Sequence, residues 1–137
     1  MRQPMMLIAL SALGACASPL PPVDPKQAWV DLYTMTPGRV IMADRLDGKR
    51  LEDGRYFQVT PGKHELVVRF DYEIYSGGIT SEPRDRTCYL TVRFDDFKAG
   101  ERYRLEARAP VMEPQVLLYD ASRKVLVNEP SNVFCIP

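Results

Sequence analysis

Residues 64–75 read HELVVRFDYEIY, and their alternation decides the fold. Leu66, Val68, Phe70, Tyr72 and Ile74 hold the even positions. Glu65, Arg69, Asp71 and Glu73 hold the odd ones, with Val67 the exception. Successive side chains of a strand point to opposite faces, so this stretch predicts a strand with one dry and one wet face. Such a pattern belongs to an antiparallel sheet covered on one side only.

The same alternation spreads to both sides. In residues 87–94, Cys88, Leu90, Val92 and Phe94 share a face against Thr87, Tyr89, Thr91 and Arg93. In residues 101–109, Tyr103, Leu105 and Ala107 point inward against Arg102, Arg104, Glu106 and Arg108. Shorter apolar runs at 29–34, 39–45, 56–59, 115–119 and 125–128 are separated by turn signals such as Pro37-Gly38, Asp47-Gly48, Asp53-Gly54 and Pro61-Gly62. Residues 76–86, with Gly77-Gly78 and Pro83, read as a long polar loop, 95–100 as a turn, and 129–137 as an aperiodic tail. With almost no helical periodicity, the chain is expected to be all-β: a small antiparallel β-sandwich of about seven or eight strands over residues 29–137.

Composition narrows the function. Eighteen basic and eighteen acidic residues cancel, so there is no cationic excess to neutralise phosphates and a nucleic-acid partner is not expected. The 137 residues suffice for one domain of ordinary size.

The N-terminus carries a separate message. Arg2 precedes an apolar run, residues 5–13, far shorter than the roughly 20 residues a membrane-spanning helix needs. It ends in Leu13-Gly14-Ala15-Cys16, which resembles the lipobox of bacterial lipoproteins. The resemblance implies that residues 1–15 are a signal peptide, that Cys16 receives a diacylglyceryl group, and that the new N-terminus is acylated. Ala17 and Ser18 are not the aspartate-type inner-membrane retention signal, so an outer-membrane anchor, with the domain in the periplasm, is expected. Residues 16–28 contain Pro19, Pro21, Pro22 and Pro25 and predict an extended tether. With Cys16 acylated, Cys88 and Cys135 remain, and in an oxidising compartment they are expected to form a disulfide.

Residues 40–70 also resemble the small β-domains called PEGA domains. The resemblance rests on Asp47-Gly48, Gly54 and Thr60-Pro61-Gly62-Lys63-His64 leading into an alternating strand, although the name-giving tetrapeptide is absent. It implies scaffolding or binding rather than catalysis.

Catalytic and metal-binding patterns are sparse. His64, the sole histidine, starts a strand and has no Gly-x-Ser-x-Gly elbow to serve, so it reads as a strand-end residue. There is no Cys-x-x-Cys pair or second histidine for zinc, and neither a metal nor a cofactor is expected. Asp95-Asp96 reads as turn chemistry. The outward set Arg93, Arg102, Arg104 and Arg108 is the foremost candidate binding surface. It shares one face if 87–94 and 101–109 pair as a hairpin, and it suits an anionic envelope component or acidic partner. Cross-strand pairing with Glu106, Asp71 or Glu73 is the competing role. The loop 76–86 is the second candidate. The expected function is that of a non-enzymatic outer-membrane lipoprotein, an envelope scaffold, assembly or accessory factor that binds protein or peptidoglycan. The alternative is a lipid-anchored ligand-binding or inhibitor module.

Overall fold

The computed structural model describes residues 18–35, 39–75, 77 and 82–136. Ten strands are found among them, in two five-stranded sheets. The first sheet has the order β4 (Tyr56–Val59), β1 (Ala28–Thr34), β7 (Arg102–Arg108), β8 (Gln115–Tyr119), β9 (Val125–Val127). The second has the order β10 (Asn132–Ile136), β6 (Arg84–Phe97), β5 (Gly62–Ile74), β2 (Val40–Leu46), β3 (Lys49–Arg50). All pairings are antiparallel except β1 with β7, which run parallel from Trp29↔Arg102 to Thr34↔Ala107.

The faces follow the alternation. Leu66, Val68 and Phe70 of β5, Cys88, Leu90 and Val92 of β6, and Leu105 and Ala107 of β7 are all 0% exposed. They join Val30, Phe57, Val116 and Leu118 in one core between the sheets. Burying a side chain of this size contributes about 1.5–3 kcal/mol, so this shared layer is what holds the two sheets together. Phe94, Phe97 and Tyr103 close one end of the core. Phe97 packs edge-on to Phe94 and Tyr103, with ring centroids 4.9 and 5.0 Å apart.

Among the stretches that differ from the sequence reading, residues 84–86 of the expected loop already belong to β6. Residues 95–97 are not a turn: β6 continues to Phe97. Between His64↔Phe94 and Gly62↔Phe97, β5 advances two residues and β6 three, so a bulge at Asp95-Asp96 shifts the phase and turns Phe97 inward. The tail contains a strand, β10, which has no periodicity because most of its residues stay exposed. The segment before β1 lies against the domain. Ser18 O accepts from Arg55 Nη1 at 2.7 Å, and Asp24 N donates to Gln58 Oε1 at 3.2 Å, so residues 18–24 run beside β4.

Cys88 and Cys135 face each other in the β10–β6 register and are joined by a disulfide, their Cα atoms 4.0 Å apart. The bridge ties an otherwise marginal edge strand to the core. Its sequence separation of 47 residues corresponds to about 4 kcal/mol of loop-closure entropy. Replacing both residues, C88A/C135A, is therefore expected to cost about 4 kcal/mol in urea denaturation. It should also remove amide-exchange protection from β10 before the rest of the sheet. Unchanged stability would contradict this role.

Candidate functional site

The candidate arginines do not share one face. β6 already has β5 and β10 on its two sides, so it offers β7 no edge. The chain turns at Gly100, φ 76°, and enters the other sheet instead. The conditional hairpin between 87–94 and 101–109 is thus absent. Arg93 stands on the second sheet and pairs with Glu65, directly opposite, Nε to Oε2 at 2.8 Å. Arg102, Arg104 and Arg108 alternate along the outer face of β7.

That outer face is organised by the parallel β1 strand. Trp29 stacks on Tyr56 of β4, with centroids 4.4 Å apart and planes 7° from parallel. Arg102 lies 5.9 Å above the Trp29 ring and donates from Nε and Nη2 to the two oxygens of Asp31, at 2.6 and 3.0 Å. Trp29 Nε1 donates to the same carboxylate at 3.0 Å. Although Trp29 faces outward, it is only 2% exposed. The hydrogen bond from Arg102 holds the Asp31 carboxyl below the ordinary carboxylate range, overcoming the opposite pull of partial burial, with Trp29 assisting. Arg104 sits 3.8 Å over the ring of Tyr33, a cation–π contact of the kind worth about 0.5–1 kcal/mol when exposed.

Beside Arg104 lies Glu106. It occupies an outward position, yet is only 6% exposed, with Arg104 Nη2 3.6 Å away. Arg104, Glu106, Tyr119 and Arg123 line an open pocket of about 160 Å³. The Nε atoms of Arg104 and Arg108 are buried and have no hydrogen-bond partner among the described residues. These two orphan donors are hydrogen-bonding capacity that a bound group would use. The face contains Trp29, Asp31, Tyr33, Tyr56, Glu106, Tyr119 and Arg123, none of which stood out as functional in the sequence. The alternation of Trp29, Asp31 and Tyr33 against Val30 and Leu32 was the available signal.

His64 joins two turns. Nδ1 lies 2.5 Å from Asp47 Oδ2, and Nε2 lies 2.6 Å from the Thr60 carbonyl and 3.0 Å from Thr60 Oγ1. The arrangement is a clasp between the Asp47-Gly48 hairpin turn (φ 50° and 82°) and the start of β5. Asp47 Oδ1 also accepts from Glu65 N at 2.8 Å. Against a desolvation that raises it, the bonds from Glu65 and His64 hold the Asp47 carboxyl below its usual range. Among the described residues, no group of three or more His, Cys, Asp or Glu side chains is placed to hold a metal ion. Of the loop candidate 76–86, residues 76 and 78–81 lie outside the described residues, and residues 84–86 begin β6.

Compared with protein-family models, curated proteins and solved structures, the chain matches none.

Asp31 and Asp47 have folded-state pKa values below their unfolded ones. Each therefore adds stability that is complete above the unfolded value, about 4, and is lost as pH falls through the folded value. An acid limb beginning near pH 4 is expected in chemical denaturation, and it should become shallower in D31N. In R102A, the Asp31 titration followed by carboxyl NMR should move upward. An unchanged Asp31 titration would contradict the assigned cause.

Proposed function

We propose that this protein is a non-enzymatic lipoprotein of the bacterial outer membrane, which binds a protein or cell-wall component through the outer face of β1, β7 and β8. The lipobox residues, Leu13 to Cys16, lie outside the described residues, and the case for the anchor is their sequence pattern. The Cys88–Cys135 bridge is in keeping with an oxidising envelope compartment.

The observation that carries the binding role is the arrangement around Glu106. A glutamate only 6% exposed on the outer side of a sheet, among arginines and tyrosines, is a costly feature for a surface with no partner. Arginine and tyrosine are also the residues enriched at the energetic centres of protein interfaces. The alternative is a small-molecule or inhibitor module, and on this outer face its candidate is the pocket over Glu106. At about 160 Å³, however, that pocket is smaller than the roughly 300–1,000 Å³ of ordinary ligand sites. It has the size of one inserted side chain or sugar substituent, which favours a macromolecular partner.

Crosslinking in intact cells, followed by purification, tests the reading. The wild type is expected to capture one stoichiometric envelope protein or peptidoglycan fragment. R104E should abolish capture while Lys49→Glu, on the exposed edge strand β3 of the other sheet, retains it. Equal capture by R104E, or none by the wild type, would contradict the proposal.

A further inference from the structure

Four exposed apolar side chains stand at one end of the sandwich, while others, Phe134 at 60% and Val133 at 43% among them, lie along the β10 edge. β1, β5 and β7 end there, and β2, β6 and β8 begin there. Met35 after β1 is 62% exposed, Tyr75 after β5 is 58%, and Val111 and Met112 between β7 and β8 are 78% and 45%. At the opposite end, the turns at 47–48, 60–63, 98–100 and 120–124 contain none of the exposed large hydrophobic residues. Tyr72 OH donates to Met112 O at 2.9 Å, and Arg39 Nη1 donates to Ala109 O at 3.4 Å. The β7–β8 loop is thereby tied to the second sheet and held as a fixed projection.

The tether runs toward this end. Asp24 is bound to Gln58 and Ser18 to Arg55, so going backward from β1 the chain follows β4 from residue 58 to residue 55. In the β1–β4 register Ala28 faces Val59 and Asp31 faces Tyr56, which places Arg55 at the level of Leu32, close to the Met35 end. Arg55 is itself gripped by Asp53, Nε to Oδ1 at 2.9 Å and Nη2 to Oδ2 at 2.7 Å. Cys16 precedes Ser18 by two residues, at most about 7 Å of extended chain.

We infer that this end of the sandwich rests on the lipid bilayer, with Val111, Met112, Met35 and Tyr75 entering its headgroup boundary. The inference depends on the acylation of Cys16. A covalent anchor so close to the apolar tips presses that end to the membrane, and a few apolar side chains then add burial at no further cost in diffusion. Charges there cancel: Arg39, Arg84, Arg86 and Arg108 stand against Glu73, Glu82, Asp85 and Glu113. Docking is accordingly apolar, indifferent to anionic lipid, and leaves the outer face of β1 and β7 standing upright and open to a partner.

The test uses the mature protein extracted from membranes. With Cys16 acylated and Cys88 bonded to Cys135, V111C supplies the one free thiol, and Lys98→Cys supplies it at the far end. Each carries an environment-sensitive fluorophore and is reconstituted, below one copy per vesicle, in neutral phosphatidylcholine with brominated acyl chains. The expected result is flotation of both proteins, with quenching severalfold stronger at position 111 than at 98. Flotation with equal quenching would overturn the docking while leaving the anchor intact. Quenching at 111 that appears only at several copies per vesicle would assign the tips to a second copy of the chain and also overturn it. Failure to float, with Cys16 unmodified by mass, would remove the proposed anchor and this inference together.

Discussion

The long antiparallel ladder of β5 and β6, paired from Ile74↔Arg84 to Gly62↔Phe97, is the constraint on which everything else rests. Its dry face carries Leu66, Val68, Phe70, Cys88, Leu90 and Val92, each fully buried. A slip of one residue would put that whole set in water and the charged set in the core, so the register is fixed by burial. Where the alternation drifts, extra residues restore it. Asp44 bulges from β2 between Ala43↔Val68 and Arg45↔Val67, and Asp95-Asp96 bulges from β6 before Phe97. All three bulged residues are aspartates, and the carbonyl of Asp44 finds a new partner in Leu51 N at 2.9 Å.

The alternation in residues 64–75, 87–94 and 101–109 was legible because each strand has one wet face, and all three faces are as the periodicity predicts. What the periodicity leaves open is which strands become neighbours. β7 follows β6 in the chain through a short turn, and a hairpin is the default for such a connection. The chain crosses to the other sheet instead, because β10 covers the edge of β6 and is fastened there by Cys135. β10 itself escaped a period-two reading because Val133, Phe134 and Ile136 are exposed on an edge strand, 43%, 60% and 46% respectively. The chemistry of Cys135 is legible in the sequence; its strand is not.

The parallel pairing of β1 with β7 creates the outer-face site. It sets Trp29 beside Arg102, Asp31 beside Arg104, and Tyr33 beside Glu106. Residues some seventy positions apart thereby acquire the contacts that lower the Asp31 pKa and seat Arg104 on Tyr33. The arginines of β7 could be read from the sequence as outward. Their aromatic and acidic neighbours could not, since parallel partners leave no mark in local spacing. Arg93, outward on the second sheet, has no cation–π contact among the described residues and pairs with Glu65, an exposed pair worth about 0–1 kcal/mol. One sheet thus carries a prepared surface, and the other an ordinary solvated pair.

On the proposed reading, one sulfur, that of Cys16, decides where in the cell this geometry is displayed. Intact mass of the protein extracted from membranes, with and without reduction before alkylation, measures it most directly. The account predicts a chain beginning at Cys16 that carries the diacylglyceryl and acyl additions, with two alkylatable thiols that appear only after reduction. A polypeptide that retains residues 1–15, or one that starts elsewhere with no lipid mass, would contradict it.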